Sequence, residues 1–151
     1  MMSVSTTQIS RTYQGLSNQI DCLQPLALLF ARLYVSWVFF TAGLTKLRDW
    51  DSTLFLFEEE YQVPIIPYEL AAYLGTAGEI ILPVLLALGL GSRFAALGLS
   101  CVNIVAVLSL EEIAPAGLKD HILWGTLLAQ VVIFSGGSFS LDKLIKNRQN
   151  N

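Results

Sequence analysis

Charge is scarce in this sequence. Only 14% of its residues are Asp, Glu, Lys or Arg, against about 25% in an ordinary soluble domain. A water-soluble fold of 151 residues has too little interior to hide the 54% that are apolar, so the composition argues against a globule surrounded by water. Cysteine is scarce too. Cys22 and Cys101 stand far apart and outside any CxxC pair, which leaves disulfide exchange and a zinc site without a basis in the sequence. His121 is the one histidine and has no His or Cys three or four positions away, so no metal-binding helix pair is expected. There is no basic stripe interleaved with aromatics, and nucleic acid is not an expected partner. A nucleophile-and-base pair, a phosphate loop and a haem-type histidine pair are missing as well. The amino-terminal stretch is polar, and the apolar run behind it is too long, and lacks the small-residue cleavage site, for a removable signal peptide.

What the sequence does contain is four long apolar stretches, at about 25–47, 68–90, 93–110 and 118–134. Each approaches the ~20 residues that a hydrocarbon layer of about 30 Å demands of an α-helix. Pro25 and Pro67 suit helix starts, Gly91-Ser92 makes a tight link between the second and third stretches, and Gly136-Gly137 suits a left-handed cap closing the fourth. Segments 80–90 and 94–110 are apolar nearly all round, whereas a soluble bundle would show a polar face at helical period. The expected fold class is therefore all-α, a polytopic membrane protein with a four-transmembrane-helix bundle, in contact with membrane lipid. Residues 1–24 form an amphipathic amino-terminal segment, 25–144 the membrane domain and 145–151 a tail.

Lys and Arg in short loops set the orientation. Arg11, Arg93, Lys143, Lys146 and Arg148 fall on one side, against Lys46, Arg48 and Lys119 on the other, which places both termini in the cytoplasm. Asp49, Asp51, Glu58, Glu59, Glu60, Glu69, Glu111, Glu112 and Asp120 all fall on the outer side and make that face anionic. Two shorter pieces have an apolar stripe at helical spacing: Tyr13, Leu16, Ile20 and Leu23 before the first span, and Leu54, Phe57 and Tyr61 after it. The second is expected to lie over the mouth of the bundle, as an amphipathic helix or an irregular loop.

Polar groups at membrane depth are the informative ones, since a charge there costs some ~2.5–3.5 kcal/mol on insertion scales and normally turns inward to a partner. Arg32 and Glu79 are the clear cases, and their depths lead us to expect an ion pair between the first two spans. The alternatives are a pair that merely fixes helix register, or an Arg32 that reaches the head groups beside a protonated Glu79. Asn103 and Gln130 fall near the depth of Glu79 when the spans are laid antiparallel. Converging, Arg32, Glu79, Asn103 and Gln130 would make a candidate ligand-binding pocket for a carbonyl-bearing molecule such as a quinone; interhelical amide hydrogen bonds are the plainer reading. Lys46, Asp120 and His121 form a second polar cluster at the outer mouth, where His121 suits proton exchange near neutral pH.

Arg32-Leu33, then Phe39-Phe40-Thr41-Ala42-Gly43-Leu44-Thr45-Lys46-Leu47, Gly78-Glu79-Ile80, Gly91-Ser92-Arg93-Phe94-Ala95-Ala96 and Gly136-Gly137-Ser138-Phe139-Ser140-Leu141-Asp142 follow one another in an order that resembles the DoxX family, over about 26–144. The segment 59–64 and the Gly117-to-His121 opening of the fourth stretch are similar to one branch of it. The resemblance implies a four-helix bacterial inner-membrane protein in which Arg32, Lys46 and Glu79 occupy recurrent polar positions. It also implies several activities: the membrane subunit of a thiosulfate:quinone oxidoreductase, an associate of redox-stress proteins, or a partner of copper-handling peptide systems. The leading expectation is a redox-associated subunit that binds a quinone or similar lipid-soluble carrier. The rival is a non-enzymatic membrane partner that anchors, matures or exports a periplasmic metal- or stress-related factor through the acidic face. A small transporter is a third option, and with four helices and no inverted repeat it would need an oligomer.

Overall fold

The computed structural model describes residues 20–110 and 112–149, together with positions 8, 10, 11, 13–15 and 17. Among the described residues from Gln24 on, six helices follow one another: α1 Gln24–Arg48, α2 Trp50–Glu59, α3 Tyr68–Leu88, α4 Ser92–Ser109, α5 Pro115–Phe134 and α6 Leu141–Gln149. Pro25 stands in the opening turn of α1, where its missing N–H is no loss. Asp49 breaks α1 with an extended backbone and then caps α2, its carboxylate accepting from the Ser52 backbone N–H at 3.0 Å and from the Ser52 hydroxyl at 2.6 Å. Gly89 closes α3 at φ +70°, and Gly91 opens α4 at φ +58°, so the link expected between the second and third spans is a glycine-built turn.

The helices close on one another. α1 packs on α3, α3 on α4, α4 on α5 and α5 back on α1, while α2 lies against α3 and α1. The main core is Val35, Phe39, Leu86, Ala95, Ala96, Leu99, Leu128 and Val131. A smaller one under α2 joins Phe57 to Ala71 and Ala72, and it settles the outer piece as a helix, with Phe57 buried and Leu54 partly so. Small residues at Ala72, Ala95 and Ala96, all wholly buried, let the helix axes come close.

α1, α3 and α4 are long and apolar enough to cross a membrane, yet between 33% and 39% of their most apolar stretches is buried within the protein. The rest shows Phe30, Trp37, Ile81, Phe94, Ile104 and Leu108 to the surroundings, each more than half exposed. Such an apolar surface is stable against hydrocarbon rather than water. This is an all-α protein of membrane type.

Three sequence expectations need adjusting. α5 starts at Pro115, earlier than expected, and carries Lys119, Asp120 and His121 in its first turns, so that among the described residues three helices rather than four meet both length and apolarity. The chain leaves α5 at Ser135, with φ +64°, and not through a cap at Gly136; Gly136 is small for another reason, described below. Of the amino-terminal stripe, Tyr13, Ile20 and Leu23 are exposed, while Leu16, like Glu111 of the acidic set, lies outside the described residues.

Candidate functional site

Arg32 and Glu79 do not pair. Gly43 of α1 abuts Glu79 and Ile80 of α3, so closely that an added Cβ would meet their side chains at 2.9–3.0 Å. Arg32, eleven residues earlier in α1, therefore lies about 16 Å further along the helix axis, level with the end of α3 rather than its middle. There the guanidinium donates Nε–H to the Leu86 carbonyl at 2.9 Å, Nη2 to Ala87 at 2.8 Å, and Nη1 to Gly136 at 2.6 Å and Phe139 at 2.9 Å. Leu86 and Ala87 are among the last residues of α3, where the carbonyls run short of intrahelical donors and carry the negative end of the helix dipole; the Leu86 carbonyl accepts from the Gly89 N–H at 3.1 Å as well as from Arg32. Arg32, 1% exposed, is thus a cap built from another helix.

Asp142 supplies the matching contact at the start of α4. Its Oδ1 accepts from the Gly91 N–H at 2.8 Å, and its Oδ2 from the Ser92 N–H and hydroxyl at 2.8 Å each. Burial pushes this carboxyl up, but the hydrogen bonds from Ser92 and Gly91, helped by the Arg32 charge, outweigh it and hold Asp142 below the usual carboxylate range. Close approach here explains the glycines. A Cβ on Gly89 would come 2.5 Å from Arg32 Nη2 and 2.6 Å from Ser140 Cβ, and one on Gly136 would collide with the Ser92 hydroxyl and Ser140.

Glu79 instead takes Lys46, whose ammonium reaches inward from the end of α1 to Oε2 at 2.5 Å. Among the described residues this is the one salt bridge between side chains. The pair stands at the polar end of a cleft of about 240 Å³ between α3 and α4. Phe57 and Tyr61 line one wall, with Val63 and Ile66 from the segment that joins α2 to α3. That segment is clasped to the end of α4 by the Tyr61–Leu110 bridge and by the Gln62 N–H donating to the Ser109 carbonyl at 2.8 Å. Leu74, Cys101 and Val105 border the cleft and are themselves exposed on the outward faces of α3 and α4. The cleft thus opens toward the side where lipid lies. Tyr61, shielded and facing the Glu79 and Glu60 charges, has its phenol pushed above the ordinary tyrosine range and stays protonated at neutral pH.

Asn103 and His121 form a third polar group. Asn103 Oδ1 and His121 Nδ1 are 2.7 Å apart, and Asn103 Nδ2 donates to the His121 carbonyl at 2.9 Å, so one residue of α5 engages both ends of the amide. The contact requires Nδ1 to carry the proton. The His121 ring also meets Trp124 edge-on at 4.8 Å.

The two sequence-derived groupings are accordingly redistributed. Arg32 is occupied by carbonyls, Asn103 by His121 and Glu79 by Lys46. Gln130 is exposed, because it follows the buried Leu128 by two residues and so lies about 200° around α5 from the core face. The outer-mouth trio separates too, with Lys46 paired to Glu79 of α3, His121 to Asn103 of α4 and Asp120 exposed. Sequence reasoning set Phe57 and Tyr61 over the mouth of the bundle, but it missed Leu74, Val105 and Ser109 as lining residues. Nothing marked them, since an apolar cleft is built from the same residue types as a core.

The DoxX family model matches residues 27–112, the stretch that runs through α1 to α4 and holds Arg32, Lys46, Glu79 and Asn103. An uncharacterized protein of Haemophilus influenzae is similar, 29% identical over 130 residues, covering 80% of this chain and 84% of that protein. No solved structure matches the chain. With more than half of its length matched, the chain belongs to the DoxX family.

Proposed function

We propose that this is a redox-associated membrane subunit that binds the head group of a quinone or similar lipid-soluble carrier in the cleft between α3 and α4. The observation that carries the reading is the Lys46–Glu79 ion pair in the lining of an apolar cleft bordered by residues exposed toward lipid. About 240 Å³ suits a ring-sized head group, somewhat below the range of ordinary whole-ligand pockets, and a hydrocarbon tail would leave between Leu74, Cys101 and Val105. Lys46 uses one N–H on Glu79 and has others for a carbonyl, while Glu79 engages Oε2 and leaves Oε1 to accept from a hydroxyl. The pair can thereby hold a ligand that presents either group. Phe57 and Tyr61 offer aromatic faces on the same wall.

In this reading α5 crosses the bacterial inner membrane as a fourth span, both termini are cytoplasmic, and an associated protein supplies the redox centre. Equilibrium titration of the purified full chain in detergent with a short-chain quinone tests it. Wild type should bind, and Glu79→Gln should bind at least about tenfold more weakly, as expected when a charge-assisted contact of ~1.5–3 kcal/mol is lost. No binding by wild type, or equal affinity in the variant, would remove the proposal.

One observation favours a second reading, a non-enzymatic partner of a periplasmic factor. Ile65, at φ +81°, stands wholly exposed in the segment between the exposed Glu58, Glu59 and Glu60 and the exposed Glu69. A β-branched residue is strained there, and a fully presented apolar side chain among carboxylates suits a protein surface with a basic rim. Recovery from native membranes of one stoichiometric protein partner, in a preparation that binds no quinone, would favour this reading over the first.

A further inference from the structure

The end of the molecule opposite the cleft carries a hollow of another kind. It measures about 420 Å³ and lies between the start of α1, the end of α5 and α6. Arg93 of α4 and Lys143 and Lys146 of α6 line it. Lys143 and Lys146 are three residues apart and so project from the same face of α6. Arg93 makes a long hydrogen bond of 3.3 Å to the Ile133 carbonyl, and among the described residues none of the three is in a salt bridge. The one carboxylate in the lining is Asp142, and both its oxygens are taken by Gly91 and Ser92. The hollow thus has three cations free to face an anion against one acid already engaged.

Its borders are apolar. Phe94, Ile133 and Phe134 are exposed on α4 and α5, and α6 shows Leu141, Leu144 and Ile145 at helical spacing with no buried residue of its own. Such a helix lies in a membrane interface, with its apolar stripe toward acyl chains and its lysines at head-group level.

We propose that this hollow is a binding site for the phosphate of an anionic phospholipid head group, held by Arg93, Lys143 and Lys146. A free phosphate offers the same charge, but only a lipid also covers the apolar border, and a basic recess beside spans is the form such recognition takes. Occupancy ties α6 to α4 and α5 through the ligand. The site is independent of the cleft and of whether the cleft takes a quinone.

The test is native mass spectrometry of the purified full chain incubated with phosphatidylglycerol or with phosphatidylcholine. Wild type should retain phosphatidylglycerol at least about tenfold better. Arg93→Gln/Lys143→Gln/Lys146→Gln should lose roughly a hundredfold of that affinity, at about fivefold per cation, while Lys119→Gln, far along α5, should lose none. Lys143→Gln/Lys146→Gln alters only a helix with no buried residue and keeps the comparison available if the triple variant does not fold. Equal retention of the two lipids by wild type, an unchanged preference in the folded variants, or displacement of the lipid by equimolar inorganic phosphate would each overturn the assignment.

Discussion

Arg32, buried, and Lys46, partly buried, do opposite things with one positive charge. At the clasp end Arg32 is 1% exposed and spends its donors on four backbone carbonyls, with Asp142 stapling the neighbouring helix start. At the cleft end Lys46 makes a single contact, to Glu79, beside empty apolar space. A saturated guanidinium has nothing left for a ligand and holds the helices together; an ammonium–carboxylate pair with spare donors and acceptors retains the capacity to bind. The difference teaches that burial of a charge does not by itself mark a functional site. What matters is whether its hydrogen-bonding valence is already used.

The largest effect should come from breaking the clasp. Arg32→Met leaves several buried carbonyls without donors and should lower stability on the order of 3 kcal/mol or more, read as unfolding in mixed detergent or as lost monodisperse yield. Arg32→Lys should rescue little, because a point-like ammonium cannot replace the fork. Gly89→Ala should follow at about 1–3 kcal/mol, since the added methyl meets Arg32 and Ser140 at a positive φ. Milder again, and dependent on pH, is Asp142→Asn. The folded-state pKa of Asp142 is depressed, so its contribution is present above the unfolded value near ~3.9 and is lost as pH falls through the lower folded value. Wild type should therefore lose stability over the approach to and below pH ~4 by more than the variant does, in parallel acid-unfolding curves.

At the cleft end the expected effects on stability are smaller and those on binding larger. A double-mutant cycle of Lys46→Met and Glu79→Gln should give a coupling of about 0.5–3 kcal/mol, because either partner alone leaves a polar group in apolar surroundings. Ala106→Leu fills the cleft from α4 and should shift stability by less than about 1 kcal/mol while abolishing quinone uptake in the same titration. If it unfolded the protein instead, the cleft would be a packed core and the contrast between the two ends would fail.

Much of this was legible in the residues. The spans at 25–47, 68–90 and 93–110 lie within two residues of α1, α3 and α4 at each end, because a helix in hydrocarbon is set by length and uniform apolarity, both of which are local. One partner choice was legible too and was passed over. Asn103 stands six residues before the end of α4 and His121 six after the start of α5, so an antiparallel hairpin register alone sets them opposite each other, whereas matching Asn103 with Gln130 by depth ignored the direction each faces. The Arg32 site was not legible, since its partners are carbonyls that every residue type carries and that become acceptors only where α3 ends against α1.

Sequence by itself decided that this chain is helical, that lipid suits its surface, and that Arg32 and Glu79 turn from that lipid toward protein, because charge and hydropathy are properties of each residue wherever it sits. Tertiary structure alone decided which partners Arg32, Lys46 and Glu79 meet. The slide of α1 against α3, set where Gly43 abuts Glu79, moves Arg32 to a helix end and brings Lys46 to Glu79, and a shift of a few residues in that register would exchange a structural clasp for an open site.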